Sequence, residues 1–565
     1  MAVPSSSSTR WVKWTAAALL LIALLSAGVV PLLLHRVQPY LRARIVEALE
    51  NRFHARVELD GFRLSLIDGI QAEGSGLRIY PNTQSAQTEP LVRLDSFRFH
   101  APLRFHPHQP IHLSVVELKG LSVHLPPRSH APKPDETNAA LPPAPGAGDR
   151  AAAPPPGSAN KLVSFQVDRI ECDGAELVLE TDKPGKLPIE VQIAHLALAG
   201  ISSGGAIQFD AQLTNPRPRG TIKTSGSFGA LQAADLGDLS IQGSYTLEKA
   251  DLGDFKDIAG TLDSTGEYRG TLRDLDVVGE TRVPDFRLTH LGSPLPLVTS
   301  FHAQVDGTNG DTRLQQVEAT LGRSHFFVQG SVLRVAETAE ATQPGKPQLG
   351  GHQIALTVDV DRGRIEDFLR LASRSGSVLM TGDVQVMSSV QIPPGPEHVH
   401  LRMKMDGRFT LSGARFASSK IQGRIAELSL RGQGRPDDLK ATDPETILSA
   451  MQSPFQIAGG VVTLPALVFT VPGARINLAG TYGMEGGALA FDGTAKMEAS
   501  VSQMVGGWKG LLLSPADRYF KKMGVGTEVG IHIAGSRAQP EFGIDFAHRR
   551  IMLTPGSARQ PSNPE

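Results

Sequence analysis

The densest group of potential metal ligands lies in the stretch FHAPLRFHPHQPIH, residues 99–112. It contains four histidines, His100, His106, His108 and His112. Imidazole nitrogens bind zinc when a regular backbone presents them together, usually with cysteine or carboxylate ligands. Pro107 and Pro110 break the backbone here, and the stretch contains no acidic residue. We therefore interpret it as a polar loop before a strand that begins at Leu113.

The other recognisable patterns do not build an active site. GVGTEVG, residues 524–530, has the wrong glycine spacing for a phosphate loop and leads into a strand instead of a helix. No HExxH zinc motif and no P-loop sequence occurs. We expect a protein that is not an enzyme, with no catalytic residue, no cofactor and no metal. A hydrolase is the enzymatic alternative, and it has no supporting set of residues.

Composition excludes several classes of partner. The 565 residues include 57 acidic and 56 basic side chains, so no strong net charge favours nucleic acid, and we expect no nucleic-acid partner. The 58 glycines and 40 prolines are spread along the chain and favour many turns between short strands. A single cysteine, Cys172, leaves no disulfide framework and no cysteine-based zinc site. The composition therefore predicts a mainly β fold.

An apolar run near the amino terminus predicts a membrane anchor. Residues 15–34, TAAALLLIALLSAGVVPLLL, carry no charge and are long enough to cross a hydrocarbon core of about 30 Å. We assign 1–14 to the cytoplasm and 15–34 to a transmembrane helix. A cleaved signal peptide is the alternative, although the apolar run continues past the candidate cleavage site at Ala27. Lys and Arg counts do not fix the orientation, because long domains cross membranes largely regardless of local charge.

An amphipathic helix is predicted directly after the anchor. Pro39 suits a first helical turn, and apolar residues recur at helical spacing on one face. They include Leu41, Ile45, Leu49 and Phe53. The opposite face carries Arg42, Glu47, Glu50 and Arg52. This pattern is typical of a helix that lies on a membrane surface or caps the end of a sheet.

From Val57 onward the apolar period changes to two, which predicts strands with one dry face and one wet face. The clearest strands are residues 354–360 and 399–405. Their apolar residues are Ile354, Leu356, Val358, Val360, Val399, Leu401, Met403 and Met405. Further dry-face candidates are Ile476, Leu478, Val529, Ile531 and Ile533. The turn sequences Asp306-Gly307 and Asp406-Gly407 favour hairpins, so the sheet should be mostly antiparallel.

Short helices and one insert interrupt the predicted strands. Apolar spacing predicts a helix from Ile365 to Ala372. Asp443-Pro444 is expected to open a second helix that carries Ile447, Leu448 and Met451, and Ser514-Pro515 a third. Residues 126–160 are rich in Pro, Ala and Gly, and we expect them to form a disordered insert. Residues 551–565 are expected to form a disordered tail.

Three sequence segments resemble those of a known family. They are PYLRARIVEALENRFHARVELDGFRLSL at 39–66, GTLDSTGEYRGTLRDLDVVGETRVPDFRL at 260–288 and LSPADRYFKKMGVGTEVGIHIAGSRAQPEFGIDF at 513–546. With the anchor before them, the chain resembles the AsmA family, bacterial membrane-anchored proteins with an AsmA-like C-terminal domain. More widely, it resembles the AsmA and TamB-type β-groove proteins.

The resemblance implies a single-pass protein of the bacterial inner membrane with its body in the periplasm. It implies a chorein-like opening helix and first strands over 37–125, a central β-sheet region over 161–350 and an AsmA-like C-terminal β region over 351–550. The implied function is transfer of lipid, phospholipid above all, between inner and outer membrane, which supports outer-membrane assembly and integrity. Membrane lipids and the inner membrane are the implied partners, with envelope or outer-membrane assembly proteins as further candidates. A non-transporting envelope scaffold that regulates insertion of outer-membrane proteins is the alternative.

The alternation of dry and wet faces leads to a similar fold class without the resemblance. Open sheets beyond about ten strands curl, split or pack against another layer. We therefore expect a mainly β fold: an N-terminal transmembrane helix, then an elongated, twisted antiparallel sheet curled into an open groove, with short capping helices. Such a groove would be lined by aliphatic side chains and could hold acyl chains. Closed β-sandwiches, in which two dry faces pack together, are the alternative.

Overall fold

A computed structural model describes the fold. The described residues run from 38 to 553, and the longer gaps within that range are 51–54, 66–69, 82–89, 102–110, 126–164, 181–185, 230–235, 337–349, 373–377 and 506–525. The predicted anchor (15–34), the predicted insert (126–160) and the helix predicted to open at Ser514 lie outside the described residues. Within the described part of the chain, no helix is long and apolar enough to span a membrane.

Alternating apolar and polar residues form 25 strands in the described part of the chain. The first nine are β1 (Arg56–Ser65), β2 (Ile70–Tyr80), β3 (Val92–Ala101), β4 (Ile111–Leu125), β5 (Phe165–Leu179), β6 (Ile189–Ala199), β7 (Ile207–Pro216), β8 (Arg219–Phe228) and β9 (Ser240–Asp251). The next eight are β10 (Ile258–Ala259), β11 (Thr261–Thr271), β12 (Asp274–Leu288), β13 (Leu295–Asp306), β14 (Asp311–Leu321), β15 (Ser324–Ala336), β16 (Gly350–Arg364) and β17 (Met380–Ile392). The last eight are β18 (Lys404–Phe416), β19 (Ser449–Ala458), β20 (Val461–Val471), β21 (Ala474–Gly483), β22 (Leu489–Met497), β23 (Thr527–Gly535), β24 (Pro540–Phe546) and β25 (Arg549–Leu553).

Twenty-four of these strands belong to one mostly antiparallel, open sheet, which confirms the mainly β prediction. Strand β10 stands apart and pairs with the last two residues of β12. The pairing of β4 with β5 is parallel, because the long connection that contains 126–164 returns the chain to the same end of the sheet. Several other connections are short hairpins, such as those between β13 and β14, β14 and β15, and β19 and β20. Asp306 pairs with Asp311 across one of them, as the Asp306-Gly307 turn predicted.

The chain folds as two compact units. Unit 1 comprises Met1–Asp182, Pro188–Thr214 and Lys223–Gly243, and unit 2 comprises Lys183–Leu187, Asn215–Ile222 and Ser244–Glu565. No division falls near residue 350, because β15 and β16 pair along almost their whole length. Strand β25 ends at Leu553, three residues inside the segment predicted as a tail.

A row of unusual backbone positions crosses the strands of unit 1. Gly76, Gly120 and Gly174 have φ values of +65°, +64° and +68°, which glycine adopts without steric cost. The flanking pairs place Asp60 opposite Gly76, and Asp95 opposite Gly120. A Cβ on Gly76 or Gly120 would lie 2.2 Å from the facing carboxylate oxygen. Glycine is therefore required at both positions.

The row shifts the alternation of apolar residues by one position. The row crosses β1 at Asp60, which faces Gly76. The apolar residues of β1 are Val57 and Leu59 before this position and Phe62 and Leu64 after it. The same spacing occurs in β3 with Val92, Leu94, Phe97 and Phe99, and in β4 with Val116, Leu118, Leu121 and Val123. In β6 it occurs with Val191, Ile193, Leu196 and Leu198. A period-two pattern read without this shift would assign half of each strand to the wrong face.

The described residues of the predicted opening helix, which lie between 38 and 50, are helical. Two of its polar side chains contact β1: Arg42 donates to the carbonyl of Leu59, and Glu50 Oε1 accepts from the amide of Val57 at 3.2 Å. These side chains satisfy backbone groups along β1, as expected for an element that covers the edge of a sheet. The polar face of the helix thus contacts β1, as in the predicted alternative in which the helix caps the sheet.

Unit 2 contains four short α-helices in its described residues. They are α1 (Ile365–Ala372), α2 (Val399–Arg402), α3 (Ser419–Gly432) and α4 (Val501–Val505). The predicted helix that carries Ile365, Phe368, Leu369 and Ala372 is confirmed as α1. Single 3₁₀ turns occur at Leu236–Asp238, Leu252–Asp254, Pro436–Lys440 and Pro444–Thr446.

Three local predictions in unit 2 are wrong. Residues 399–402 form α2 instead of a strand, and β18 begins only at Lys404. Asp406-Gly407 is not a turn, because both residues pair on both sides within β18. Asp443-Pro444 opens one 3₁₀ turn that ends at Thr446, so Met451 lies in β19. In each case the local sequence pattern favoured the predicted element. Contacts with residues distant in the sequence determined the observed backbone conformation instead.

Buried polar side chains fix two of the helices to the sheet. Asp367 of α1 is 1% exposed and accepts hydrogen bonds from Ser324 Oγ and the amide of Arg323, both at 2.8 Å. Gln422 of α3 is fully buried and donates to the carbonyls of Pro444 and Ile447, each at 2.8 Å. Ile365 and Phe368 of α1 pack on a buried cluster of Val384, Leu411 and Ala414.

Candidate functional site

The strand register in unit 2 brings many of the predicted dry-face residues onto one surface. Leu356 pairs with Val390 across β16 and β17, and Val390 pairs with Met405 across β17 and β18. Ile354, Val358 and Val360 alternate with exposed residues along the same strand as Leu356. Directly paired residues in a sheet point to the same face. The dry faces of β16, β17 and β18 therefore form one surface.

The same surface continues towards the carboxyl end of the chain. Met405 pairs with Ile457, Ile457 with Val462, and Val462 with Tyr482 of β21. Leu478, on the same face of β21, pairs with Gly493, which pairs with Ile531. Ten predicted residues thus share one face, which we call the apolar strip. They are Ile354, Leu356, Val358, Val360, Met405, Ile476, Leu478, Val529, Ile531 and Ile533.

Exposure distinguishes an open face from a closed core. Nine of the ten residues are half-buried, and only Val360 is buried, at 3% exposure. Val360 lies at the end of β16 next to α1, close to the buried Val384 of β17. In a β-sandwich the facing sheet would bury such side chains almost completely. In the described part of unit 2, α1 covers one end of the strip. Val390, Phe455 and Phe491, which lie on the same face, are also buried, so the strip is a partly covered apolar surface.

The opposite face of the same strands is polar. Gln353, Thr357 and Asp359 alternate with the strip residues of β16 and are exposed. Histidine–carboxylate contacts link neighbouring strands on this face: His325 lies 2.8 Å from both Asp361 and Glu318. The carboxylates of Asp361 and Glu318 accept hydrogen bonds from the imidazole, and these bonds, that to Asp361 above all, raise the pKa of His325 above its ordinary value. These contacts link β14, β15 and β16 on the wet face.

Aromatic rings cover glycines within the dry face. Phe455 pairs with Gly407, and a Cβ on Gly407 would lie 2.9 Å from the ring of Phe455. Phe491 has the same relationship to Gly480, where the corresponding distance is 2.6 Å. An aromatic ring that lies across a glycine shields the bare backbone of the neighbouring strand. The rings therefore lie low over the strands and form part of the floor of the strip.

Eight further apolar residues lie on the same face as the apolar strip and were not predicted from the sequence. They are Val386, Val390, Phe409, Phe455, Ile457, Phe469, Phe491 and Ile544. Their strands do alternate, but small or polar residues interrupt the apolar positions. Ser388 is the clearest case, because it replaces an apolar residue between Val386 and Val390 and pairs with Val358. It is 4% exposed, and its hydroxyl has no hydrogen-bond partner among the described residues.

Three predicted residues do not lie on a strand of the strip. Val399 and Leu401 belong to α2, and Met403 ends that helix. The hydrogen bonds of this segment explain the difference, since Asp257 accepts from the amide of Val399 at 2.6 Å and Met403 donates back to the carbonyl of Val399 at 2.8 Å. The apolar residues of this segment thus occupy alternate positions in the sequence. The backbone of the segment, however, hydrogen-bonds to Asp257 in a loop and within α2 instead of to a neighbouring strand.

The predicted membrane-surface residues are only partly described. Ile45 and Leu49 are helical and half-buried, whereas Leu41 and Phe53 lie outside the described residues. His100 is an exposed residue of β3 and His112 belongs to β4, whereas His106 and His108 also lie outside them. Among the residues that are described, no group of three or more metal ligands comes together.

One serine motif in the sequence has an unsuitable structural context. Residues 200–204 read GISSG, which fits the GxSxG pattern of serine hydrolases. That pattern depends on a sharp turn from a strand into a helix. Here it follows β6 and precedes β7, an antiparallel partner of β6, and Ser202 lies outside the described residues. The motif therefore does not define an active site.

Comparisons with known proteins identify no relative. No family model matches the chain, no curated protein matches it, and no solved structure resembles it.

Proposed function

We propose that the protein binds lipid acyl chains on the apolar strip and transfers lipid between membranes. The observation that carries this proposal is a largely apolar face that runs across nine strands, from β16 to β24, and on which nine of the ten predicted residues are only half-buried. An apolar face of this length that its own chain leaves partly uncovered is unfavourable in water, and it usually marks a site that a ligand or partner covers. Each methylene that an acyl chain buries there would contribute about 0.8 kcal/mol.

The geometry of the strip suits a chain-like ligand better than a compact one. Paired strands lie about 4.8 Å apart, so nine strands provide a surface about 40 Å long across the strands. The polar headgroup would remain in water, because the opposite face and the strand ends carry the charged residues. We extend the proposal to a sheet curled around the strip as a groove, with phospholipid as its cargo.

The remaining parts of the proposal rest on the sequence. The uncharged run at 15–34 would anchor the chain in the bacterial inner membrane, with the body in the periplasm. The AsmA-like phrases support membership of that family and a role in outer-membrane assembly. Under this proposal, the opening helix would place β1 close to the membrane, where lipid would enter.

The experiment that tests the proposal is isolation of the protein without detergent, followed by mass spectrometry of the extracted lipid. The proposal expects lipid in stoichiometric amounts in the parent protein and much less after Leu356→Asp. Protein that is folded but free of lipid would contradict lipid transfer, and co-purification of envelope proteins instead would favour the scaffold.

A further inference from the structure

The segment Pro393–Met403 between β17 and β18, which we call the strap, joins distant parts of unit 2. At its centre His398 Nδ1 lies 2.7 Å from Asp257 Oδ1, and the amide of Val399 donates to Asp257 Oδ2 at 2.6 Å. Further along, His400 Nε2 lies 3.0 Å from Glu485 in the turn between β21 and β22. The strap therefore bridges a loop before β10 and a turn after β21.

The contact with Asp257 joins opposite ends of the sheet. Asp257 precedes β10, which pairs with the last residues of β12, whereas His398 follows the last residue of β17. The hairpins from β12 to β17 alternate between the two ends of the strands, so β12 and β17 finish at opposite ends. We call the end at which β17 finishes the first rim and the end at which β12 finishes the second rim.

A flat sheet could not make this contact. The 13 residues of β17 separate the rims by about 43 Å. Five strand-to-strand steps between β12 and β17 add about 24 Å sideways. From Ile392 the chain to His398 can extend by only about 22 Å. The two rims must therefore approach each other, which requires strands that bend and twist strongly.

The sheet of unit 2 curls towards its apolar face. Helix α1 packs on the dry face of β17 and β18 through Ile365 and Phe368. The same helix reaches the connection between β12 and β13, because Ser293 donates to the carbonyl of Arg370 at 3.0 Å. A helix that touches strands this far apart lies inside the curl. The seam between the rims is therefore the open side of the groove, and the strap crosses it.

The contacts of the strap allow it to move as a rigid segment. Its own ends are tied together, because Arg402 donates to the carbonyls of Pro393 and Glu397. Two of its attachments to other elements are small and polar. His398 and Asp257 are 51% and 20% exposed, and His400 and Glu485 are 31% and 69% exposed. Contacts of this kind contribute little to global stability and can break without unfolding the sheet.

Asp257 is adapted to hold the strap. Its φ of +72° is uncommon for a residue with a side chain, and aspartate tolerates it better than most. Burial acts to raise the pKa of Asp257, but the amide of Val399 and the side chain of His398 outweigh it, so the pKa is lowered. The carboxylate is thus kept charged as an acceptor for two donors of the strap.

We propose that the strap is a gate across the seam of the groove, closed by its contact with Asp257 and opened by release of that contact. Its role in lipid entry rests on the proposed function, whereas its control of access to the dry face does not. When the gate is closed, the strip residues nearest to it are shielded from molecules in solution. When it opens, the seam widens and these residues become accessible.

The test measures access to the strip by cysteine labelling. A cysteine replaces Met405 on the dry face of β18 in a Cys172→Ala background, and its reaction with a bulky maleimide is timed. Asp257→Asn keeps a residue that tolerates the positive φ but removes the charge, and labelling should accelerate about tenfold. His398→Ala removes part of the same contact from the side of the strap and should accelerate it about threefold.

Glu485→Gln releases only a contact with a turn on the first rim, which does not cross the seam, and should leave the rate unchanged. Lys404→Cys, on the polar face, is the control and should label at one rate in all forms.

Labelling of the cysteine at position 405 that changes in neither Asp257→Asn nor His398→Ala would overturn the gate. Equal acceleration at position 404 would also overturn it, because it would indicate general loosening. If Asp257→Asn fails to fold, His398→Ala decides, since the His398 side chain is half exposed and is not needed for folding. If labelling responds as expected but no form of the protein takes up lipid, the gate stands and lipid transfer fails.

Discussion

Phe455 lies directly across the β18–β19 ladder from Gly407, and its ring occupies the space in which a side chain at position 407 would stand. This pair lies near the middle of the apolar strip, between the register positions of Met405 and Phe409. Glycine there would be costly in an ordinary strand because it loses entropy and packs nothing. The ring compensates for the missing side chain and keeps the floor of the strip low.

Gly407→Val should therefore displace the ring of Phe455, and it should also clash with the carbonyl oxygen of Met387 and Cβ of Ser388, which lie closer still. We expect the free energy of unfolding to fall by about 2 kcal/mol, because a branched side chain would overpack this site. Urea denaturation measures this loss. Gly423→Ala in α3 is the control, since open space surrounds that position. It should stabilise the protein by about 0.5–1 kcal/mol, because alanine favours a helix. Equal effects of the two changes would contradict the role of the ring.

Val358 and Val360 provide a matched pair on one face of one strand. Val360 is buried beside α1, so Val360→Asp should place a carboxylate in an apolar core and cost about 3 kcal/mol or more. Val358 is half-buried on the open part of the strip, and water can reach a carboxylate there. Val358→Asp should therefore leave a protease-resistant protein that binds less lipid.

Limited proteolysis and thermal unfolding of the two variants measure the contrast. Unfolding by both changes would indicate that the strip is a closed core, as in a sandwich. Full lipid binding by Val358→Asp would indicate that lipid binds somewhere other than the apolar strip.

Ser388 should be dispensable for folding. Its buried hydroxyl has no partner among the described residues, and an unsatisfied polar group costs free energy that an apolar replacement avoids. We expect Ser388→Ala to raise the free energy of unfolding by about 1 kcal/mol in urea denaturation. Ser453→Ala is a useful comparison, because its hydroxyl donates to the carbonyl of Pro454 at 2.6 Å and should not give the same gain. A loss of stability in Ser388→Ala would mean that the hydroxyl has a partner in solution.

His325 should make stability depend on pH around neutrality. Its pKa is raised by Asp361 and Glu318, so its stabilising contribution is complete below its ordinary pKa of about 6.5. That contribution is lost as the pH rises through the higher folded value. His325→Gln should therefore reduce stability near pH 6 but have a much smaller effect near pH 9. Chemical denaturation at the two pH values tests this, and an effect that grows with pH would contradict the sign.

Some of the structure could be predicted from the sequence and some could not. Alternation over 354–360 and 529–533 indicated strands and their dry faces, because successive side chains in a strand point to opposite sides. The helix at Ile365–Ala372 was predicted correctly from apolar spacing. The shift between Leu59 and Phe62 was also visible in the sequence, but only the register explains it by the row of glycines.

The errors share a physical cause. Residues 399–405 alternate like a strand, yet the contact of Val399 with Asp257, which is 142 positions away in the sequence, decides their backbone. Asp406-Gly407 has the composition of a turn, but the ring of Phe455 makes glycine acceptable inside a strand. Neither partner could be identified from local sequence, because both depend on how distant strands are brought together.

Lipid capture that distinguishes the two faces of the sheet tests the central claim most directly. A photoreactive amino acid is placed in turn at Leu356 and Met405 on the dry face and at Thr357 and Asp406 on the wet face. The protein is irradiated in membranes, and crosslinked lipid is identified by mass spectrometry. We predict capture at Leu356 and Met405 and none at Thr357 and Asp406. Equal capture from both faces, or no capture from either, would contradict a lipid-binding apolar strip.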